Sequence, residues 1–145
     1  VRLQSPPRRI RRGATSPTCE TDPMPHPVKI NVSEKLGLFD ERWSPRVVGE
    51  VNDVLVKLSK LEGEFLWHRH EAEDELFLVV SGRLVMRFRD GEEVLFPGEL
   101  IIVPRGVEHL PVADEGTAVL LVEPKTTLNT GDVRNDRTVE RLPRI

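Results

Sequence analysis

Between Arg46 and Glu123 the chain never holds an apolar run long enough for a buried helix. It is cut at short intervals by turn signals: Asn52-Asp53, Glu62-Gly63, Ser81-Gly82, Asp90-Gly91, Pro97-Gly98-Glu99, Pro104-Arg105-Gly106 and Asp114-Glu115-Gly116. The segments between them read as strands. In Arg83–Arg89, Leu84, Met86 and Phe88 share one face, and Arg83, Val85, Arg87 and Arg89 the other, as in a sheet wet on one side. Asp90-Gly91 between two alternating runs predicts a hairpin. Further strands are expected at Arg46–Val51, Val54–Leu61, Leu76–Val80, Glu92–Phe96, Leu100–Val103 and Thr117–Glu123. Val28–Val32 adds a short one, and Ser33 would cap one or two helical turns over Glu34–Phe39. Eight or nine short strands with frequent turns favour an all-β fold, a small antiparallel barrel or jelly roll, over any α/β plan.

Histidine placement gives the chemistry. Three of the four histidines, His68, His70 and His109, fall within Gly63–Gly82 and Gly98–His109, and Glu75 follows the His-x-His pair. On an extended strand residues two apart share a face, so His68 and His70 point the same way and Trp67 and Arg69 the other. Parity places Glu75 with Phe77 and Val79, and a turn through Glu71–Asp74 returns that carboxylate over the histidines. Three imidazoles and one carboxylate suit a divalent first-row metal. His26, between Pro25 and Pro27, reads as an exposed loop residue.

These two clusters resemble the paired motifs of the cupins. His68-x-His70, Glu75 and Gly82 match the first motif, with Gly63 one residue closer than the usual pattern. Gly98, Pro104, Gly106 and His109 match the second, with Ala113 in place of its Asn, which is not a ligand. The resemblance covers about residues 50–123 and is nearest to the small single-domain cupins labelled mannose-6-phosphate isomerase-like. It implies a double-stranded β-helix, with His68, His70, Glu75 and His109 around one divalent ion (Mn, Fe, Ni or Zn), and a homodimer. Three His and one Glu leave positions open for water or substrate, unlike a closed structural zinc site. The expected function is that of an isomerase, sugar-phosphate isomerase-like in one form, or a dioxygenase acting on a small oxygen-bearing metabolite. The alternative is a non-catalytic, metal-dependent binding or sensor module.

Pocket residues follow from strand parity. Phe77, Val79, Leu84, Met86 and Phe88 are the candidate apolar walls. Lys57 and Ser59 share a face with Leu55 and Leu61 and reach the cavity if that face is inside. Arg46, Lys57 and Arg105 are the candidate anion contacts. Glu108, Glu62 and Glu64 are expected on the surface, which leaves no evident general base.

Composition sets the remaining bounds. At 145 residues the chain suits one domain. Residues 28–125 form the expected barrel, and 126–145 a polar tail that lines the pocket mouth, reaches the dimer interface or hangs loose. Five arginines against Glu20 and Asp22 give residues 1–24 a charge of +3, so the rest of the chain carries −6. An acidic body argues against nucleic acid as a partner. Residues 1–27 read as disordered, either a basic arm or sequence upstream of a start at Met24. The lone Cys19 allows no internal disulfide, and no apolar run approaches a membrane span, so a cytoplasmic location is expected.

Overall fold

A computed structural model describes residues 26–145. Expectations for residues 1–25 lie outside the described part. Among the described residues, seven strands follow one short helix, α1 (Val32–Leu36). The strands are β1 (Arg46–Val51), β2 (Val54–Glu64), β3 (Glu75–Ser81), β4 (Leu84–Phe88), β5 (Gly91–Leu95), β6 (Leu100–Val103) and β7 (His109–Pro124). All pair antiparallel, in the order β1-β2-β7-β3-β6, with β4 also on β7 and β5 on β4. This is the all-β antiparallel barrel that the turn spacing predicts.

The 16-residue β7 is the spine of the barrel. Its first half pairs with β4 and the end of β2, and its second half lies between β2 and β3. Asp114–Gly116 bulges out of it rather than ending it, so His109–Val112 and Thr117–Glu123 are one strand. The expected eight or nine strands become seven among the described residues because Val28–Val32 and the His68–His70 stretch form none. Inside, Phe77, Val79, Leu84, Met86, Val119 and Leu121 pack in one cluster. The Leu55, Lys57, Ser59, Leu61 face of β2 is the inner one. Lys57 is buried there with its Nζ on Glu123.

Three local expectations are corrected. Val28–Val32 forms no strand, because no strand edge accepts it; Val28 is 82% exposed. The helix cap is Asn31, not Ser33: in extended backbone its side chain accepts from the Glu34 amide at 3.2 Å. The β4–β5 hairpin forms, but its two-residue loop is Arg89-Asp90, since Phe88 pairs with Gly91. None of Arg89, Asp90 and Gly91 has positive φ, so the primed turn that Asp-Gly favours is not the one used.

Residues 126–145 fold back over their own barrel. Arg137 donates to the carbonyls of Glu64 and Phe65 at 2.9 and 2.8 Å. The Val47 amide donates to the Pro143 carbonyl, and that of Ile145 to the Val47 carbonyl. Thr130 is fully buried. No helix among the described residues is long and apolar enough to cross a membrane.

Candidate metal centre

The stretch from Phe65 to Asp74 crosses from β2 to β3 without forming a strand, which corrects the expectation of a His-bearing strand. A backbone bridge nevertheless pins it to the start of β7. The His68 amide donates to the His109 carbonyl at 3.1 Å, and the His109 amide returns the bond at 2.9 Å. The Pro104-Arg105-Gly106 turn is tied to the same crossing, its Gly106 amide donating to the His70 carbonyl at 2.7 Å. Glu75 is the first residue of β3, and its inward parity with Phe77 and Val79 holds. Local geometry therefore delivers all four side chains to one point.

His68, His70, Glu75 and His109 are all buried, and one ligand atom from each lies within 4.8 Å of the others. Glu75 Oε2 is 3.2 Å from His70 Nε2 and 3.3 Å from His109 Nε2. His68 Nδ1 lies 3.0 Å from the Leu66 carbonyl and His109 Nδ1 lies 2.9 Å from that of Val107. A carbonyl only accepts, so both Nδ1 atoms carry the proton and the neutral rings offer a lone pair at Nε2. His109 Nε2 then faces Glu75 Oε2, lone pair against lone pair, and neither atom has another partner. Such a buried arrangement requires a proton or a cation between the acceptors. The group is able to bind a metal ion, and its donor set fits one.

Electrostatics agree with that state. Burial, and then the neighbouring His109, push the His68 pKa down to about 4, so this ring is neutral at pH 7. Burial works to raise the Glu75 pKa, but the His109 and His70 rings beside it outweigh burial and hold the carboxyl below the usual range.

A cavity of about 40 Å³ opens beside His68 and Glu75. Trp43 and Phe65, stacked at 4.7 Å, form one wall, and Phe77 with Leu121 another. Of the pocket candidates, Phe77 and Ser59 are on this wall. Val79, Leu84 and Met86 are sealed in the core, and Phe88 packs against it. Lys57 lies off the wall, almost fully buried, with its Nζ on Glu123 Oε1. The reason is curvature: alternation says which residues face in, not which reach the open end of the barrel. The candidate anion contacts are engaged elsewhere, Arg46 with Glu41 at 2.9 Å, Lys57 with Glu123, and Arg105 with Asp74 at 3.1 Å. Glu108 pairs with Arg89 at 2.8 Å, outside the site.

Glu123 is the residue that the sequence reading missed. It shares the inward parity of Val119 and Leu121 on β7, a signal present in the chain. The register sets Leu76 opposite Val122, so Glu123 falls opposite Glu75, carboxyl beside carboxyl. Burial, with Glu75 adding to it, raises the Glu123 pKa well above the usual range, while Lys57 acts the other way. Trp43, Pro45 and Asn129 also line the cavity, brought from the segment before β1 and from the C-terminal tail.

The cupin domain family matches residues 54–124, a span that includes all four residues of the cluster. A cupin-2 domain containing protein from Shewanella frigidimarina NCIMB 400 is 47% identical and superimposes with a TM-score of 0.65, over 66% of this chain and 94% of that one. Protein NMB1881 from Neisseria meningitidis is 29% identical with a TM-score of 0.62, over 68% of this chain and 100% of that one. The uncharacterized protein YdbB of Bacillus subtilis (strain 168) is 39% identical over 79 residues, 54% of this chain and 70% of its own length. With the barrel, the buried cluster and these likenesses in agreement, the chain belongs to the cupin family.

Proposed function

We propose that this chain is a metal-dependent cupin that acts on a small oxygen-bearing metabolite, as an isomerase or a dioxygenase. His68, His70, Glu75 and His109 are the ligands of its one divalent ion. The observation that carries this reading is the buried lone-pair contact between His109 Nε2 and Glu75 Oε2 beside an accessible cavity. A divalent ion held there supplies Lewis-acid polarisation of a substrate oxygen. The chain's own residues orient the rings through Leu66 and Val107, keep His68 neutral and exclude bulk water behind Trp43 and Phe65.

The cavity wall weakens the sugar-phosphate form of the isomerase reading, because no lysine or arginine is among the described residues that line it. A non-catalytic binding or sensor module is favoured by one feature. No wall carboxyl stands apart as a general base: Glu75 belongs to the histidine cluster, and Glu123 is ion-paired with Lys57 through Oε1. Elemental analysis of the purified chain, then anaerobic Fe(II) loading with oxygen uptake, separates these readings. One iron per chain with substrate-stimulated uptake supports a dioxygenase. Stoichiometric manganese, nickel or zinc with an isomerised product supports the isomerase, and the same metals without turnover support the binding module. No metal after reconstitution refutes the proposal.

The same proposal includes a homodimer and a cytoplasmic location. Phe96, Leu100 and Ile102 are each more than half exposed, on and beside the edge strand β6. Clustered apolar exposure on a sheet edge is what a second copy would cover.

A further inference from the structure

Besides Glu75 Oε2, which belongs to the metal-ligand cluster, two polar atoms on the cavity wall have no partner. Ser59 Oγ and Glu123 Oε2 both belong to wall residues, at 1% and 2% exposure, and neither is hydrogen-bonded. Buried polar atoms are nearly always paired, so each calls for a partner from the cavity. Ser59 stands opposite Val119 in the β2–β7 ladder, an apolar neighbour that offers it nothing. Glu123 Oε1 accepts from Lys57 Nζ, while Oε2, on the carboxyl beside that of Glu75, has no hydrogen-bond partner. Around these atoms the surface is apolar and aromatic, built from Leu61, Phe65, Phe77 and Leu121.

Resting on the metal-dependent reading above, we infer that Ser59 and Glu123 form a hydroxyl-recognising subsite, and that the ligand is a small neutral hydroxylated carbonyl compound. Three features select that class. A carboxyl oxygen and a serine hydroxyl both accept from an alcohol O–H. The absence of lysine and arginine from the described wall, with Glu75 and Glu123 both on it, disfavours phosphate or carboxylate groups. The apolar rings shield the carbon skeleton, while a carbonyl oxygen reaches the His68 and Glu75 end. A site built to hold a hydroxyl rejects the analogue that lacks it, because its own buried groups are then left unpaired. Two trapped waters would satisfy the same atoms without any such selectivity.

The test is saturation-transfer NMR on the full chain, metal-free and zinc-loaded, with dihydroxyacetone, 1,3-dimethoxyacetone and dihydroxyacetone phosphate as probes. Dihydroxyacetone is expected to bind at least about fivefold more tightly than either analogue, the ratio that one net hydrogen bond gives. Ser59→Ala removes only the hydroxyl and is expected to erase most of that preference, with an unchanged circular dichroism spectrum and zinc content. Glu123→Gln, where it folds, should weaken dihydroxyacetone to a similar degree. Equal binding of the three probes, full affinity in Ser59→Ala, or no binding in either form overturns the inference. Zinc uptake is scored separately. A chain that takes no zinc yet binds dihydroxyacetone through Ser59 refutes the metal reading and keeps the subsite. A chain with one zinc and no preference does the reverse.

Discussion

Gly131 joins the C-terminal tail to the candidate metal centre, and replacing it with alanine has an effect that can be worked out. Its φ is +56°, in the left-handed region. A Cβ there would collide with the Arg69 carbonyl oxygen, lie 2.9 Å from its carbon, and sit 3.1 Å from His68 Cδ2. Two carbons prefer about 3.5 Å, so the tail or the His68–His70 crossing must move by roughly half an ångström or more. Moving apart strains two bonds, from the Asp132 amide to the Arg69 carbonyl at 2.9 Å and from the Arg69 amide to Asp132 Oδ1 at 3.0 Å. The left-handed backbone costs alanine about 1 kcal/mol, and the overpacking or the two lost bonds add about 2 kcal/mol. Gly131→Ala is therefore expected to lose about 3 kcal/mol in urea unfolding, with faster amide exchange at Arg69 and Asp132. Gly106→Ala is the control: its φ is +80°, but a Cβ there meets nothing within 4 Å, so only the backbone cost of about 1 kcal/mol applies. Equal losses in the two variants would refute the claim that the tail is packed against the site.

Other outcomes follow from the same geometry. His70→Ala should abolish most metal uptake while the barrel still folds, read by metal content and circular dichroism; full occupancy would overturn the ligand assignment. Trp67→Ala should leave metal affinity intact and cost about 1 kcal/mol, since the Arg89 guanidinium lies 3.8 Å over its ring. In metal-free protein the unfolded chain takes up a proton at His68 near pH 6.5, whereas the folded chain resists until about 4. Its contribution to stability should therefore be complete above pH 6.5 and fall as pH drops towards 4, by up to about 3 kcal/mol. Glu75, depressed when folded, adds a loss of the same sign at lower pH. A His68→Asn variant whose stability keeps the wild-type slope between pH 6.5 and 4 would count against that origin. Leu100→Glu with Ile102→Lys should convert a dimer to a monomer in light scattering, and a monomeric wild type would remove the dimer proposal.

The sequence alone determined most of the strands and the grouping of His68, His70 and Glu75, because both are written in short-range pattern. Alternation over Leu84–Phe88 and the Asn52-Asp53 turn are satisfied by near neighbours, and they form where expected. The spacings that join His68, His70 and Glu75 survive because one short crossing carries both histidines and ends at Glu75, whether or not it is a strand. Tertiary structure decided what pattern could not encode. Val28–Val32 has the alternation of a strand but no edge to join, and Val28 stays exposed. Asp90-Gly91 marks a hairpin, yet cross-strand register moves the loop to Arg89-Asp90. Val79, Leu84 and Met86 face inward as parity requires, and barrel closure then puts them in the core instead of on the cavity. The cavity itself is assembled from Trp43, Pro45, Glu123 and Asn129, residues far apart along the chain. Lys57 and Glu123 meet from strands whose pairing no local rule sets. Local periodicity decides which side of a strand is apolar; only the closing of the sheet decides which of those side chains a ligand can touch.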